Sequence, residues 1–152
     1  MNSVIVADTS VIINGYLADQ IESGSIRNSD IIIPQAVFDE LQSQASNHKQ
    51  QGFIGLEQIQ KLNKLSEGFG LKIILKGLHP SIDDIKFAGS GRIDALIIDI
   101  AKQSNAILYT SDNVQHLVAQ AEDVQTIFLK PKVIDETLEF LKFFDNNNEY
   151  TS

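Results

Sequence analysis

An α/β fold, a sandwich of helices around a parallel sheet, is the architecture this sequence predicts, and three observations carry the prediction. Five short β-rich runs alternate along the chain with helical patterns, the order that builds a parallel sheet through right-handed crossovers. Four of those runs are nearly all apolar without alternation, as strands covered on both faces are. The third is size. A chain of 152 residues suits one domain, and it buries about 70% of its unfolded surface, so its core needs no disulfide or structural metal.

The strands are expected at residues 4–7, 31–33, 72–75, 106–109 and 126–129. Helices follow from apolar spacing near 3.6 residues. Residues 34–45 carry Val37, Phe38 and Leu41, and residues 53–67 carry Phe53, Leu56, Ile59, Leu62 and Leu65. Helices at 92–103 and 113–121 come next, the second with an apolar set of Val114, Leu117, Val118 and Ala121. A last helix at 135–144 carries Leu138, Leu141 and Phe144. Pro34 suits the first turn of the helix after its strand. Gly52 and the polar run 46–51 separate two helices into a hairpin, and Gly68 and Gly70 end the second of them. Residues 78–91 read as the longest irregular connection. Residues 1–132 thus form the domain, with 133–152 a C-terminal helix and a polar, frayed tail.

Composition excludes several chemistries. There is no cysteine, hence no disulfide framework, thiolate zinc site, iron–sulfur cluster or cysteine nucleophile. No run of 18 apolar residues spans a membrane. The start MNSVIVADTS lacks the charged region and cleavage site of a secretory signal, so a soluble cytoplasmic domain is expected. Twelve Lys and Arg against 20 Asp and Glu give a net charge of −8. That field repels polyanions at long range and argues against a basic-patch nucleic-acid binder. Bound metal could reverse the sign locally.

In open parallel sheets ligands bind beyond the carboxyl ends of the strands, which singles out four acids. Asp8 follows the first strand directly, and Asp112 follows the fourth by three residues. Either also suits a helix N-cap, and Asp112 with Gln115 fits a capping box. Glu40 and Asp94 are harder to explain by capping. At about 100° per residue, Glu40 falls between Ala36 and Val37 inside the apolar arc of its helix, and Asp94 falls between Ala101 and Ile98 on the apolar stripe of its own. A carboxylate on a core-facing stripe is costly unless it is paired or metal-bound. Asp94 could escape at the helix end and Glu40 at the rim, but four such escapes together are the less economical reading.

Four converging carboxylates repel one another and shift their pKa values upward unless neutralised. Too few Lys or Arg residues adjoin them, whereas one or two hard divalent cations would balance the charge. Mg²⁺ or Mn²⁺ prefers oxygen ligands, matching carboxylates without a His cluster. Four acids with two such ions form a two-metal phosphodiesterase pattern, in which the ions generate a hydroxide and stabilise the leaving oxygen.

The segments VIVADTSVII with Asp8, IIIPQAVFDEL with Glu40, GRIDALIIDIA with Asp94 and ILYTSDN with Asp112 resemble, in that order and spacing, the PIN domain family of the VapC-like, PilT N-terminus type. The likeness runs from Val4 to about Lys132. More narrowly, IIIPQAVFDELQSQA, GFIGLEQIQKL, IDDIKFAGSGRIDALI, TSDNVQHLVAQA and IFLKPK look like the amino-terminal PIN domain of archaeal PIN-domain ATPases with a KH-type RNA-binding region. The resemblance implies a three-layer α/β/α sandwich with a five-stranded parallel sheet in the order 3-2-1-4-5. It implies an Mg²⁺- or Mn²⁺-dependent endoribonuclease, a hydrolase acting on RNA, with Asp8, Glu40, Asp94 and Asp112 as metal-site acids. Ser10 and Thr110 would be hydroxyls orienting carboxylates or water. It also implies that ATPase and KH regions belong to a longer chain. These residues contain no GxxxxGK[ST] phosphate loop, so no ATPase activity is theirs. A homodimer is the expected assembly.

Lys86 and Arg92 flank the mouth near Asp94 and could contact substrate phosphate, or be plain solvated cations. Asp83, Asp84 and Asp99 read as a capping box and a polar helix face. Asn113 reads as a helix-start residue, and His79 and His116 show no ligand spacing. His48 and Lys49 sit on a surface hairpin. The Gly89-Ser90-Gly91 run reads as a hinge. Phe140 and Phe143 exceed what one helix face needs and could meet a partner or the core. Two further functions compete. One is a weakly active or inactive PIN module that binds RNA and subunits within a larger ATPase, which the acidic surface favours. The other is a phosphoryl-transfer domain of receiver or haloacid-dehalogenase type. The latter wants an Asp where Ser10 stands, and a receiver leaves Glu40 and Asp94 unexplained.

Overall fold

The computed structural model describes residues 3–86 and 91–130. The expected helix at 135–144, Phe140, Phe143, the boundary at 132 and the Gly89-Ser90 part of the glycine run lie outside the described residues. β1 (Ser3–Ala7), β2 (Ser29–Pro34), β3 (Lys72–Lys76), β4 (Ile107–Thr110) and β5 (Thr126–Phe128) form one sheet in the order β3-β2-β1-β4-β5. Every pairing is parallel, with Ile5 opposite Ile31 on one side and Ile107 on the other.

The strand order dictates where the helices go. The chain moves toward one edge through β1, β2 and β3, then crosses back and moves toward the other through β4 and β5. With right-handed crossovers, those two journeys put helices on opposite faces. α1 (Thr9–Ile13), α2 (Tyr16–Glu22) and α4 (Gln50–Ser66) pack together on the first face. α6 (Arg92–Gln103) covers β1, β2 and β4 on the second, and α7 (Asn113–Ala121) covers β4 and β5. α3 (Gln35–Ser46) touches α4 from one layer and α6 from the other, so it bridges them beyond the carboxyl end of β2. The core is aliphatic: Ile5, Ile12, Ile31, Ile33, Leu41, Ile97, Ile98 and Leu108 are all essentially inaccessible.

Several sequence expectations are corrected. Only the inner strands are well covered on both faces; β3 and β5 are the sheet's edges, and most of their residues keep some exposure. Pro34 closes β2 and occupies the N-cap of α3, not its first turn. α1 and α2 replace a stretch in which no helix was expected, because each is two turns or less and Gly15 breaks them apart at φ +79°. α5 (Ile82–Lys86) interrupts the connection expected to be irregular. It starts on a reciprocal capping box, with Ser81 N donating to Asp84 Oδ2 at 2.9 Å and Asp84 N to Ser81 Oγ at 3.0 Å.

The apolar set expected on α7 faces outward. Val114, Leu117 and Val118 are 68%, 54% and 42% exposed, and the helix buries Gln115 and Ala119 instead. Four apolar residues at helical spacing do not say which way a helix turns when another face carries a polar contact the fold requires. Among the described residues no helix is long and apolar enough to cross a membrane.

Gly52 lies inside α4, not in the hairpin turn that precedes it, because it is where α4 approaches α3. A Cβ there would stand 2.3 Å from the Ala45 backbone nitrogen and 2.6 Å from the Leu41 carbonyl oxygen. Backbone atoms cannot step aside as side chains do, so Gly52→Ala is expected to cost roughly 3 kcal/mol. Gly68, in the 3₁₀ turn Glu67–Phe69, has nothing within 4 Å of the same position. Gly68→Ala is therefore expected to stay within about 0.5 kcal/mol of the parent. Guanidinium unfolding of both variants checks the pair.

Candidate metal centre

The crossover direction switches between β1 and β4, and open α/β sheets bind ligands beyond the carboxyl ends of their strands at such a point. Asp8 stands there as the first residue beyond β1, its N–H donating to the Tyr109 carbonyl at 3.0 Å as one more ladder bond. It is 3% exposed. Although it occupies the N-cap of α1, its side chain makes no capping bond. Oδ2 instead accepts from Thr110 Oγ1 at 2.6 Å and from Ser10 Oγ at 3.0 Å. Ser10 Oγ in turn accepts from the Ser111 N–H at 2.9 Å, joining the segment after β1 to that after β4.

Asp112 lies two residues past β4 and is exposed. It caps α7, Oδ1 accepting from Val114 N at 2.9 Å and Gln115 N at 3.3 Å. The capping box expected with Gln115 is not made. The Asp112 N–H that would complete it donates to Thr110 Oγ1 at 3.0 Å, and the Gln115 side chain turns away to the Asp94 carbonyl. Asp94 occupies the first turn of α6, half-buried behind Gly91 in the left-handed region at φ +86°. Glu40, half-buried on α3, accepts from Gln44 Nε2 at 3.1 Å.

The four acids feel one another's charge. Burial raises the Glu40 carboxyl to about 7, with the charges of Asp94 and Asp8 adding to it. Burial likewise raises Asp94 to about 6, helped by Asp8 and Asp112. Asp8 is pushed up by burial against the lowering effect of its hydroxyl donors. The ion pairs seen, Lys61–Glu22, His79–Asp39, Arg92–Asp84 and Lys102–Glu122, touch none of the four.

The four side chains offer only oxygen, which fits a hard divalent ion and not the nitrogen and sulfur preference of zinc. As the side chains stand, no three acidic or histidine groups among the described residues surround a common point at ligand distance. Asp112 is turned to its helix and Glu40 to Gln44, so the carboxylates meet through their fields and not through a shared centre.

Arg92 reaches Asp84 at 3.6 Å, and Lys86 ends α5, exposed. Asp99 and Asp83 are exposed. His116 packs its ring on Phe128, with 5.5 Å between centroids. Sequence reasoning missed two contacts beside the acids. His79 Nδ1 meets Asp39 Oδ2 at 2.5 Å, tying the connection after β3 to α3 one residue before Glu40. Gln44 holds Glu40 while its own Oε1 is buried without a partner among the described residues. The i, i+4 spacing of Glu40 and Gln44 was the available signal for that bond.

The PIN domain family model matches residues 5–121. A KH and PIN-domain containing protein of Methanocaldococcus jannaschii, itself uncharacterized, is 36% identical over 141 residues, covering 93% of this chain and 22% of its own length. An uncharacterized PIN and TRAM-domain containing protein of Synechocystis sp. is 29% identical over 123 residues, 80% of this chain and 32% of its own. A solved domain of a functionally unknown protein from M. jannaschii has the same fold, with a TM-score of 0.80 at 37% identity over 84% of this chain and 91% of that one. The chain spans about a fifth to a third of the length of the curated relatives it matches.

The raised carboxyls have a consequence for metal-free protein. The folded state keeps a proton on Glu40 that the unfolded chain releases between 4.5 and about 7, and Asp94 does the same between 3.8 and about 6. The fold binds more protons than the unfolded state in that window, so stability falls as pH rises through it. With EDTA present, the melting temperature should be higher at pH 5 than at pH 8, by about 2–5 °C per group after allowing for solvent screening. Glu40→Gln should flatten the upper part of that slope in thermal melts, whereas a slope set by overall net charge would persist.

Proposed function

The chain belongs to the PIN domain family, and from that membership we propose that it is an Mg²⁺- or Mn²⁺-dependent endoribonuclease whose metal is held by Asp8, Glu40, Asp94 and Asp112. PIN domains are generally nucleases and generally use divalent metal ions. The observation that carries the reading is the electrostatic crowding of four carboxylates from four elements at the switch point, with none of the observed ion pairs relieving it. Carboxyls pushed up by burial and by like charges mark a functional-site candidate, and a divalent cation bound among them would relieve the repulsion.

Bound there, a divalent ion would supply Lewis-acid polarisation of a phosphodiester oxygen and screening of the charge that develops in its hydrolysis. The protein's own share is orientation. Ser10 and Thr110 fix the Asp8 carboxylate through one of its oxygens, Gln44 steadies Glu40, and the α7 backbone steadies Asp112. Arg92 and Lys86, on the helices that flank Asp94, are the cations we assign to substrate phosphate. Single-stranded or structured RNA is the proposed substrate, and the KH region in the name of the M. jannaschii relative supports it. ATPase and KH regions beyond these residues, and a cytoplasmic location, belong to the same proposal. So does a homodimer, favoured by the outward apolar stripe of α7.

The specific alternative is a PIN module that binds RNA or subunits with little turnover, favoured by the net charge of −8. Mn²⁺ titration calorimetry and RNA cleavage on the same samples decide. Wild type should bind and cleave, and Asp94→Asn should lose both, with cleavage down at least a hundredfold. Asp8→Asn should abolish cleavage while leaving a scaffold role intact. Metal binding without cleavage favours the module, and no binding at millimolar Mn²⁺ overturns the four-carboxylate reading. Separately, Leu117→Glu should halve the mass seen by analytical ultracentrifugation if α7 forms the dimer contact.

A further inference from the structure

We infer that Gln115 is a positioning residue that sets the separation between Asp94 and Asp112. The inference rests on the metal-site reading above and extends it to a residue that carries no charge.

Gln115 is 3% exposed, and a buried amide costs free energy unless it is bonded. Its Nε2 donates to the Asp94 main-chain carbonyl at 3.0 Å. A carbonyl can only accept, so the partner itself fixes which end of the amide points there. The residue is also held at its other end, its backbone N–H donating to Asp112 Oδ1 at 3.3 Å. One residue thus grips the first turn of α6 with its side chain and the Asp112 carboxylate with its main chain.

The link does not stop at Asp112. The Asp112 N–H donates to Thr110 Oγ1, and that hydroxyl donates onward to Asp8 Oδ2. A continuous path of hydrogen bonds therefore runs from Asp94 through Gln115, Asp112 and Thr110 to Asp8, joining three acids from three elements. Glu40, on α3, lies outside this path. Ordinary packing does not account for Gln115. The other buried residue of α7 is the small Ala119, and the four apolar residues that could have filled the space face outward. A Met or Leu would fill the same volume without the cost of burying an amide.

The test compares wild type with Gln115→Met, close in shape but without a donor, and Gln115→Glu, of the same reach but without a donor at pH 8. Ala119→Gly serves as a control that loosens α7 elsewhere. The readouts are Mn²⁺ affinity by calorimetry and, in metal-free protein, amide hydrogen exchange at positions 114 and 115. Both Gln115 variants should weaken Mn²⁺ binding about tenfold, the scale of losing a bond that orients a metal ligand. They should also lose protection at those two amides, while Ala119→Gly lowers the melting temperature and leaves Mn²⁺ affinity unchanged. Folded Gln115 variants that bind Mn²⁺ as wild type does would overturn the positioning role and leave the metal site standing. A wild type that binds no Mn²⁺ would overturn the metal-site reading, and this inference with it.

Discussion

Four carboxylates whose charges act on one another at the carboxyl ends of the strands, three of them buried or half-buried, are the constraint on which the upper end of this molecule depends. Each of the four carboxylates comes from a different element, so no local change of chain direction can separate them without disturbing the sheet. Asp8 is fixed by the β1–β4 ladder, Asp112 by its helix start, Asp94 by the first turn of α6 and Glu40 by the buried face of α3. Burial, with their mutual repulsion added to it, raises Glu40 to about 7 and Asp94 to about 6. That cost is relieved when the carboxyls take up protons. The aliphatic core beneath, nearly all Ile, Val, Leu and Ala, contributes the stability against which this strain is set.

The hydroxyls around Asp8 show how the most buried charge is tolerated. Ser10 and Thr110 both donate to Oδ2, and charge-assisted bonds of this kind are stronger than neutral ones. They oppose burial without cancelling it, since the Asp8 carboxyl still sits above its ordinary value. Adjacent parallel strands make this arrangement possible. The register that sets Ala7 opposite Tyr109 brings the residues after each strand together as well.

Much of this was legible in the sequence, for identifiable reasons. The inner strands are apolar runs because both faces are covered, and that pattern survives without any knowledge of partners. Glu40 and Asp94 stood out because a carboxylate on an apolar arc contradicts its own helix. α1 and α2 were not legible, since helices of five and seven residues offer too few turns for a period to declare itself. The hairpin glycine was misplaced for a different reason. Gly52 is required by the distance of closest approach between two helices, and that distance is tertiary information.

The orientation of α7 is the most instructive failure of pattern reading. An apolar set at positions 114, 117, 118 and 121 satisfies the spacing of a buried stripe, yet the helix presents it to solvent. Hydrophobic periodicity ranks faces by transfer free energy, about 1.5–3 kcal/mol for each large side chain fully buried. It gives no weight to a polar contact that only one rotation of the helix can make. Here that contact is the donation from Gln115 Nε2 to the Asp94 carbonyl, which joins α7 to α6. With that bond made, position 115 falls on the inside. A glutamine is found there because the inside of α7 faces the main chain of Asp94. The face that α7 buries is the one that makes this polar contact, and not its more hydrophobic one.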